Sequence, residues 1–145
     1  MAQYPLGPSV SLAAQLVILG LIALSMAFKG QKRFRAHGAS MSLAVIIHSI
    51  TIIAIMLPSF SAGIVPYISE NPGNAIGLIS LFHGVTGLLA WVLGIWLVAS
   101  WHLSPSNEKC FKRGGAMRIT LVVWMVSLIL GILMYLNFYT AFLPL

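Results

Sequence analysis

Residues 116–136 read AMRITLVVWMVSLILGILMYL, and this stretch decides the fold class. Its only charged side chain is Arg118. At about 1.5 Å per helical residue the stretch is long enough to cross the ~30 Å hydrocarbon core of a bilayer. Because lipid offers no hydrogen-bond partner to free backbone groups, such a segment is expected to be an α-helix. The stretch therefore predicts a transmembrane helix.

Three further apolar segments resemble it, and together they predict a single membrane domain over residues 1–145. The expected helices cover residues 9–28, 38–57, 75–101 and 116–138. The expected inner connections cover residues 29–37 and 102–115. Prolines at positions 58, 66 and 72 predict an irregular outer loop over residues 58–74, because proline interrupts a helix.

The composition supports the same class. Of the 145 residues, 59% are hydrophobic and only 7% are charged, and the mean hydropathy is +0.99. A soluble domain carries roughly a quarter charged residues, so an ordinary soluble enzyme is excluded, as is a disordered chain. The sequence predicts an all-α integral membrane protein, an antiparallel bundle of four transmembrane helices with both termini outside.

The net charge of +6 reflects two basic clusters that lie between apolar segments. One cluster holds Lys29, Lys32, Arg33 and Arg35, and the other holds Lys109, Lys112, Arg113 and Arg118. Basic residues gathered in alternate connections are a topology signal, so we expect this face to be cytoplasmic at the plasma (inner) membrane of a prokaryote. The expected partners are membrane lipids and other integral membrane subunits. No nucleic-acid partner is expected.

The sequence lacks signs of independent catalysis. Both acidic residues, Glu70 and Glu108, fall in predicted loops, whereas proton pumps and cation-coupled transporters usually use carboxylates inside the membrane. No P-loop, Ser/His/Asp set or paired carboxylates are present. A transporter or channel is therefore poorly supported, and no enzymatic activity is expected.

Histidines inside the apolar segments are the candidate ligands. His48 lies about 15 Å below the outer end of its helix, and His83 lies about 12 Å below the outer start of the next helix. Two imidazoles at similar depth on antiparallel helices are suited to axial ligation of one haem b, or to copper. The alternative for His48 is a hydrogen bond across helices, to Thr86 or Ser80.

His37 and His102 are expected near the inner face, where anchoring to lipid headgroups is the main alternative to a ligand role. His37 lies eleven residues before His48, so the two share one helix stripe about 16 Å apart. His83 and His102 are about 28 Å apart, so two matched haem sites are disfavoured. Small residues that follow His83 fit either helix packing or close approach of a macrocycle: Gly87, Ala90 and Gly94.

Three motifs resemble the small prokaryotic membrane proteins grouped as domain of unknown function 420. They are a basic loop before His37-x3-Met41-x2-Ala44, the pair Phe82-His83, and the Trp- and Gly-bearing last helix with its preceding basic residues. The likeness covers roughly residues 28–137. The resemblance implies a role in respiratory membranes, in maturation of haem-copper terminal oxidases, with His37 and His83 as metal or haem ligands.

Two stretches depart from that family. The end of the second helix reads IMLPSF (residues 55–60), where the family has a histidine, and residues 108–113 read EKCFKR, where it has Lys-His-Lys. The main functional prediction is an accessory or assembly subunit of a respiratory electron-transfer complex that holds one haem b or metal ion. The alternatives are a redox-active b-type cytochrome subunit that relays electrons from quinol, and a purely structural small subunit.

Overall fold

The computed structural model describes residues 6–102 and 112–140 and is all-helical over them. It contains four long helices: α1 (Leu6–Gly30), α2 (Phe34–Glu70), α3 (Ala75–His102) and α4 (Gly114–Tyr139). Each is long and apolar enough to cross a membrane, which confirms the predicted number of candidate spans. The chain ends and most of the expected connection at 102–115 lie outside the described residues.

Large apolar side chains cover the exposed faces of the four helices. Buried residues make up only 22% to 28% of the most apolar window in each helix. Leu16, Ile50, Leu88 and Val122, one from each helix, are all at least half exposed. A surface of this kind is suited to hydrocarbon and not to water.

The helices contact one another mainly as consecutive pairs, α1 with α2 and α3 with α4, and α2 packs against α3. Contacts such as Gln15 with His48 and Ser25 with His37 show that α1 and α2 run in opposite directions. All four helices contribute to one buried apolar cluster, formed by Ile18, Ile22, Ala44, Val45, Ala90 and Trp124.

The expected outer loop over residues 58–74 is wrong for most of its length, because α2 continues as helix to Glu70. Two π-helical turns, Ile52–Met56 and Phe60–Ile64, precede the helical segments that begin near Pro58 and Pro66. The wider π turn relaxes the register in which a proline ring collides with the carbonyl one turn earlier. The helix therefore passes both prolines instead of stopping.

Tight turns close two connections. Between α1 and α2, Lys32 adopts a left-handed backbone conformation with φ of 60°. Between α2 and α3, Gly73 has φ of 86°, a conformation that glycine adopts without steric cost. The side-chain oxygen of Asn74 then accepts a 2.9 Å hydrogen bond from the amide of Ile76, which caps the start of α3. The connection between α1 and α2 covers only residues 31–33, which is shorter than the expected 29–37.

Candidate functional site

Two of the three candidate histidines line one cavity. A mostly apolar cavity of ≈ 490 Å³ opens between the four helices, and both His48 and His83 line it; we call it the His48–His83 cavity. This volume lies within the range of roughly 300–1,000 Å³ that is usual for small-molecule and cofactor sites. The sequence argument for similar depth counted His48 from a helix end at residue 57, whereas α2 continues to Glu70, so the shared cavity is a finding of the structure.

His83 is held by the backbone of α4. Its Nδ1 lies 2.8 Å from the carbonyl oxygen of Ser127. Since a carbonyl only accepts, Nδ1 carries the proton and donates it, and Nε2 keeps its lone pair. This is the arrangement usual for a ligating histidine, in which a hydrogen bond at one nitrogen fixes the tautomer and orientation of the ring.

Gly131 makes room for the His83 ring. A Cβ added to Gly131 would lie 2.9 Å from Cε1 of His83, which is closer than real Cβ contacts allow. Gly87 is similarly close to a neighbour, since a Cβ there would lie 3.1 Å from Oγ of Ser127. The small residues around His83 therefore serve helix packing, and Gly131 also permits the position of the imidazole.

His48 is buried between α1 and α4. Its Nδ1 lies 3.0 Å from the side-chain amide nitrogen of Gln15, and its ring lies 4.7 Å from that of Trp124, centroid to centroid. The partner is thus on α1 and is neither Thr86 nor Ser80, the two candidates that the sequence suggested. Thr86 and Ser80 instead donate to backbone carbonyls of their own helix.

The second nitrogen of His48 is a buried polar atom without a partner. Nε2 of His48 has no hydrogen bond in the structure, although the residue is only 4% exposed. Burying an unpaired polar atom costs about 1–3 kcal/mol, so such atoms are uncommon without a reason. With the amide nitrogen of Gln15 at Nδ1, that nitrogen donates, Nδ1 accepts, and the ring proton lies on Nε2. If the carboxamide is rotated by 180°, its oxygen accepts from Nδ1–H instead, and Nε2 then has a free lone pair.

His37 lies apart from the other two histidines. It lines a separate cavity of ≈ 80 Å³, which we call the His37 cavity, together with Met41. Its Nδ1 lies 2.9 Å from the carbonyl oxygen of Ser25, and the Ser25 hydroxyl donates back to the His37 carbonyl over 3.0 Å. One interpretation of the sequence expected His37 to anchor the chain to lipid headgroups. With 7% exposure, His37 is buried and does not have the exposed position that this role needs.

The metal set His37 with His83 is not assembled by this fold, because the two residues line different cavities. Within residues 6–102 and 112–140, no cluster of three or more His, Cys, Asp or Glu side chains is suited to hold a metal ion. His102 is exposed, and its Nε2 lies 3.1 Å from the Ser42 hydroxyl, in the N-terminal part of α2.

The sequence did not predict that three further residues contact the histidines of this cavity. Gln15, Ser127 and Trp124 all line the cavity, and each contacts one of its histidines. A buried glutamine within an apolar helix is itself a signal, since polar side chains inside the membrane are expensive and usually paired. Gln15 could have been found on that ground. Ser127 accepts from His83 through its backbone carbonyl, and its hydroxyl lies 3.4 Å both from Nδ1 and from the carbonyl oxygen of His83.

Comparison of the chain with protein-family models, with curated protein sequences and with solved structures finds no match. The interpretation of the site therefore depends on its own geometry. The residues fit binding of a haem at two points: the unpaired Nε2 of His48 and the tautomer of His83.

Proposed function

We propose that this protein is a four-helix integral membrane protein that holds one haem b between His48 and His83. In this proposal it serves as an accessory or assembly subunit of a respiratory complex of the haem-copper oxidase type. The observation that carries the haem assignment is the pair of histidines on one apolar cavity, with a second-nitrogen hydrogen bond on His83 and an unpaired buried nitrogen on His48.

Each residue has a distinct role in holding the group. Nε2 of His48 and Nε2 of His83 would hold the haem iron. Ser127 and Gln15 fix the two rings through Nδ1, which keeps the donor atoms in place before any ligand arrives. When bound, haem b supplies one-electron transfer.

The cavity also fixes the surroundings of the two nitrogens. Its other walls are mainly apolar and include Phe60, Trp91 and Ile132. Such walls exclude water and lower the local dielectric, two of the means by which a protein sets the potential of a bound redox group. Tyr135 also lines the cavity, and its hydroxyl lies 3.0 Å from the hydroxyl of Ser9, which ties α4 to α1.

The topology forms part of the proposal. We place the helices as an antiparallel bundle across the plasma membrane of a prokaryote, with the basic connections in the cytoplasm and both termini outside. The positive-inside rule supports this orientation. The respiratory role is supported by the resemblance of the His37 and His83 motifs to the domain of unknown function 420 proteins.

The proposal is tested by the absorption spectrum of the protein purified in mild detergent, first air-oxidised and then reduced with dithionite. Haem is quantified on the same sample as the pyridine complex. We expect a sharp α-band on reduction and one haem per chain. His48→Ala and His83→Ala are each expected to abolish stoichiometric haem, and His102→Ala is the control that keeps it. A fully helical protein that takes up no haem, even when haemin is added, would refute the haem assignment.

A further inference from the structure

We propose that the His37 cavity is a binding site for a phospholipid with an anionic headgroup. The inference is independent of the haem assignment, because it concerns the other cavity and different residues. Two basic side chains from opposite ends of the chain, Lys29 of α1 and Arg118 of α4, line this cavity. They are brought together only by the fold.

The charges of Lys29 and Arg118 are unmatched in the part of the chain that is described. The only acidic residue there is Glu70, at the opposite end of α2 from His37. Two other basic side chains of the same end are held against aromatic rings: Arg33 over Phe28 at 5.1 Å, and Arg113 over Trp96 at 4.9 Å. Lys29 and Arg118 therefore differ from their neighbours, since they face a cavity and not a ring.

The rest of the His37 cavity is mostly apolar. Leu97, Val98 and Leu121 line it, and the ring of Trp101 closes one side by packing directly on Gly38. A Cβ added to Gly38 would lie 2.4 Å from that ring, so the glycine is required for the ring to sit there. A soluble anion is not stabilised by apolar walls, whereas the first methylene groups of an acyl chain are stabilised when they are buried against them.

The size and position of the His37 cavity indicate which class of ligand it can hold. A volume of ≈ 80 Å³ accepts a few methylene groups and is too small for a cofactor. Basic residues at the ends of membrane-spanning helices lie at the depth of lipid phosphates. A phosphate that contacts Lys29 and Arg118, with its acyl chain started in the cavity, satisfies both the charge and the apolar walls.

The test uses the full chain in phosphatidylcholine vesicles that contain a trace of spin-labelled phosphatidylglycerol or spin-labelled phosphatidylcholine. The measured quantity is the ratio of the motionally restricted fractions of the two labels. We expect a preference of about tenfold for phosphatidylglycerol, which is in keeping with two basic contacts at the membrane surface. The double variant Lys29→Gln/Arg118→Gln is expected to lose most of this preference for phosphatidylglycerol.

The matched control is Arg33→Gln/Arg113→Gln, which removes the same amount of charge from the same end of the molecule. It is expected to keep most of the preference. Leu121→Trp, which fills the apolar part of the cavity and keeps every charge, is expected to lower the preference even if the charge variants fold poorly. Equal losses in the two double variants would overturn the proposal in favour of a general surface potential. The proposal also fails if the wild-type chain shows no preference, or if millimolar inorganic phosphate displaces the labelled phosphatidylglycerol.

Discussion

The His48–His83 cavity and the His37 cavity lie along the same helices but present different chemistry. The first holds two imidazoles on two helices and no basic side chain. The second holds one imidazole with Lys29 and Arg118. His37 and His83 have the same ring tautomer, since Nδ1 of each donates to a backbone carbonyl. Under the proposed function, a ligand-ready tautomer alone does not define a cofactor site, because a second donor and space are also needed.

The largest effect is expected when histidines of the two cavities are removed in turn. His83→Ala should abolish haem binding, because one axial donor is lost outright, whereas His37→Ala should leave one haem per chain. Haem content per chain, measured as the pyridine complex, decides the outcome. If the His37 variant lost haem and the His83 variant kept it, the two cavities would have been assigned the wrong way round.

A smaller effect is expected from Gly131→Ala. The added Cβ lies 2.9 Å from the His83 ring, so the ring or α4 must shift, at a cost of about 1–3 kcal/mol. We expect haem affinity to fall by about tenfold to a hundredfold, as measured by titration with haemin. Gly20→Ala is the control, because no atom lies within 4 Å of a Cβ built there. Unchanged haemin affinity in Gly131→Ala would show that the His83 ring has no part in binding.

Gln15 is expected to change the midpoint potential of the haem and not to bind its iron. With the Gln15 carboxamide rotated so that its oxygen accepts from Nδ1–H, His48 is a more basic ligand, which favours the oxidised iron. Gln15→Leu should therefore raise the midpoint potential and Gln15→Glu should lower it, each by on the order of tens of millivolts. Redox titration followed at the α-band measures both variants. Shifts of the same sign in the two variants would argue against the hydrogen bond as their cause.

The smallest effect is expected at Ser25, the hydrogen-bond partner of His37. Ser25 is fully buried, so Ser25→Ala should cost about 1 kcal/mol of stability without any change in haem content. Thermal unfolding in detergent, followed by circular dichroism, measures the loss. Ser61→Ala serves as the control, since that hydroxyl is exposed and bonds only within its own turn. A loss of haem in the Ser25 variant would show that the two cavities are coupled.

Much of the fold followed from the sequence. Apolar length alone predicted four candidate spans. Counting residues from the helix ends predicted that His48 and His83 lie at similar depth, but the count for His48 used an end at residue 57, whereas α2 continues to Glu70. The same counting placed His37 on the stripe of His48 about 16 Å away, which is why the two residues lie on one helix face but line separate cavities.

The rest depended on packing that the sequence does not encode locally. The 58–74 segment was predicted as a loop because prolines normally end helices, and the π turns that carry α2 past Pro58 and Pro66 have no sequence signature of comparable strength. The partners of His48 and His83 depend on how each helix is rotated about its axis. Hydropathy does not fix that rotation when all faces are apolar. The contacts of Gln15 with His48 and of Ser127 with His83 were therefore found only in the structure.

The central claim is that two imidazoles of this chain share one haem iron. It is tested most directly by the electron paramagnetic resonance spectrum of the oxidised, haem-loaded protein. The account predicts a low-spin ferric signal, with conversion to a high-spin signal in His48→Ala or His83→Ala prepared with added haemin. A high-spin ferric signal in the wild-type protein, or the same signal as haemin in empty detergent micelles, would contradict it.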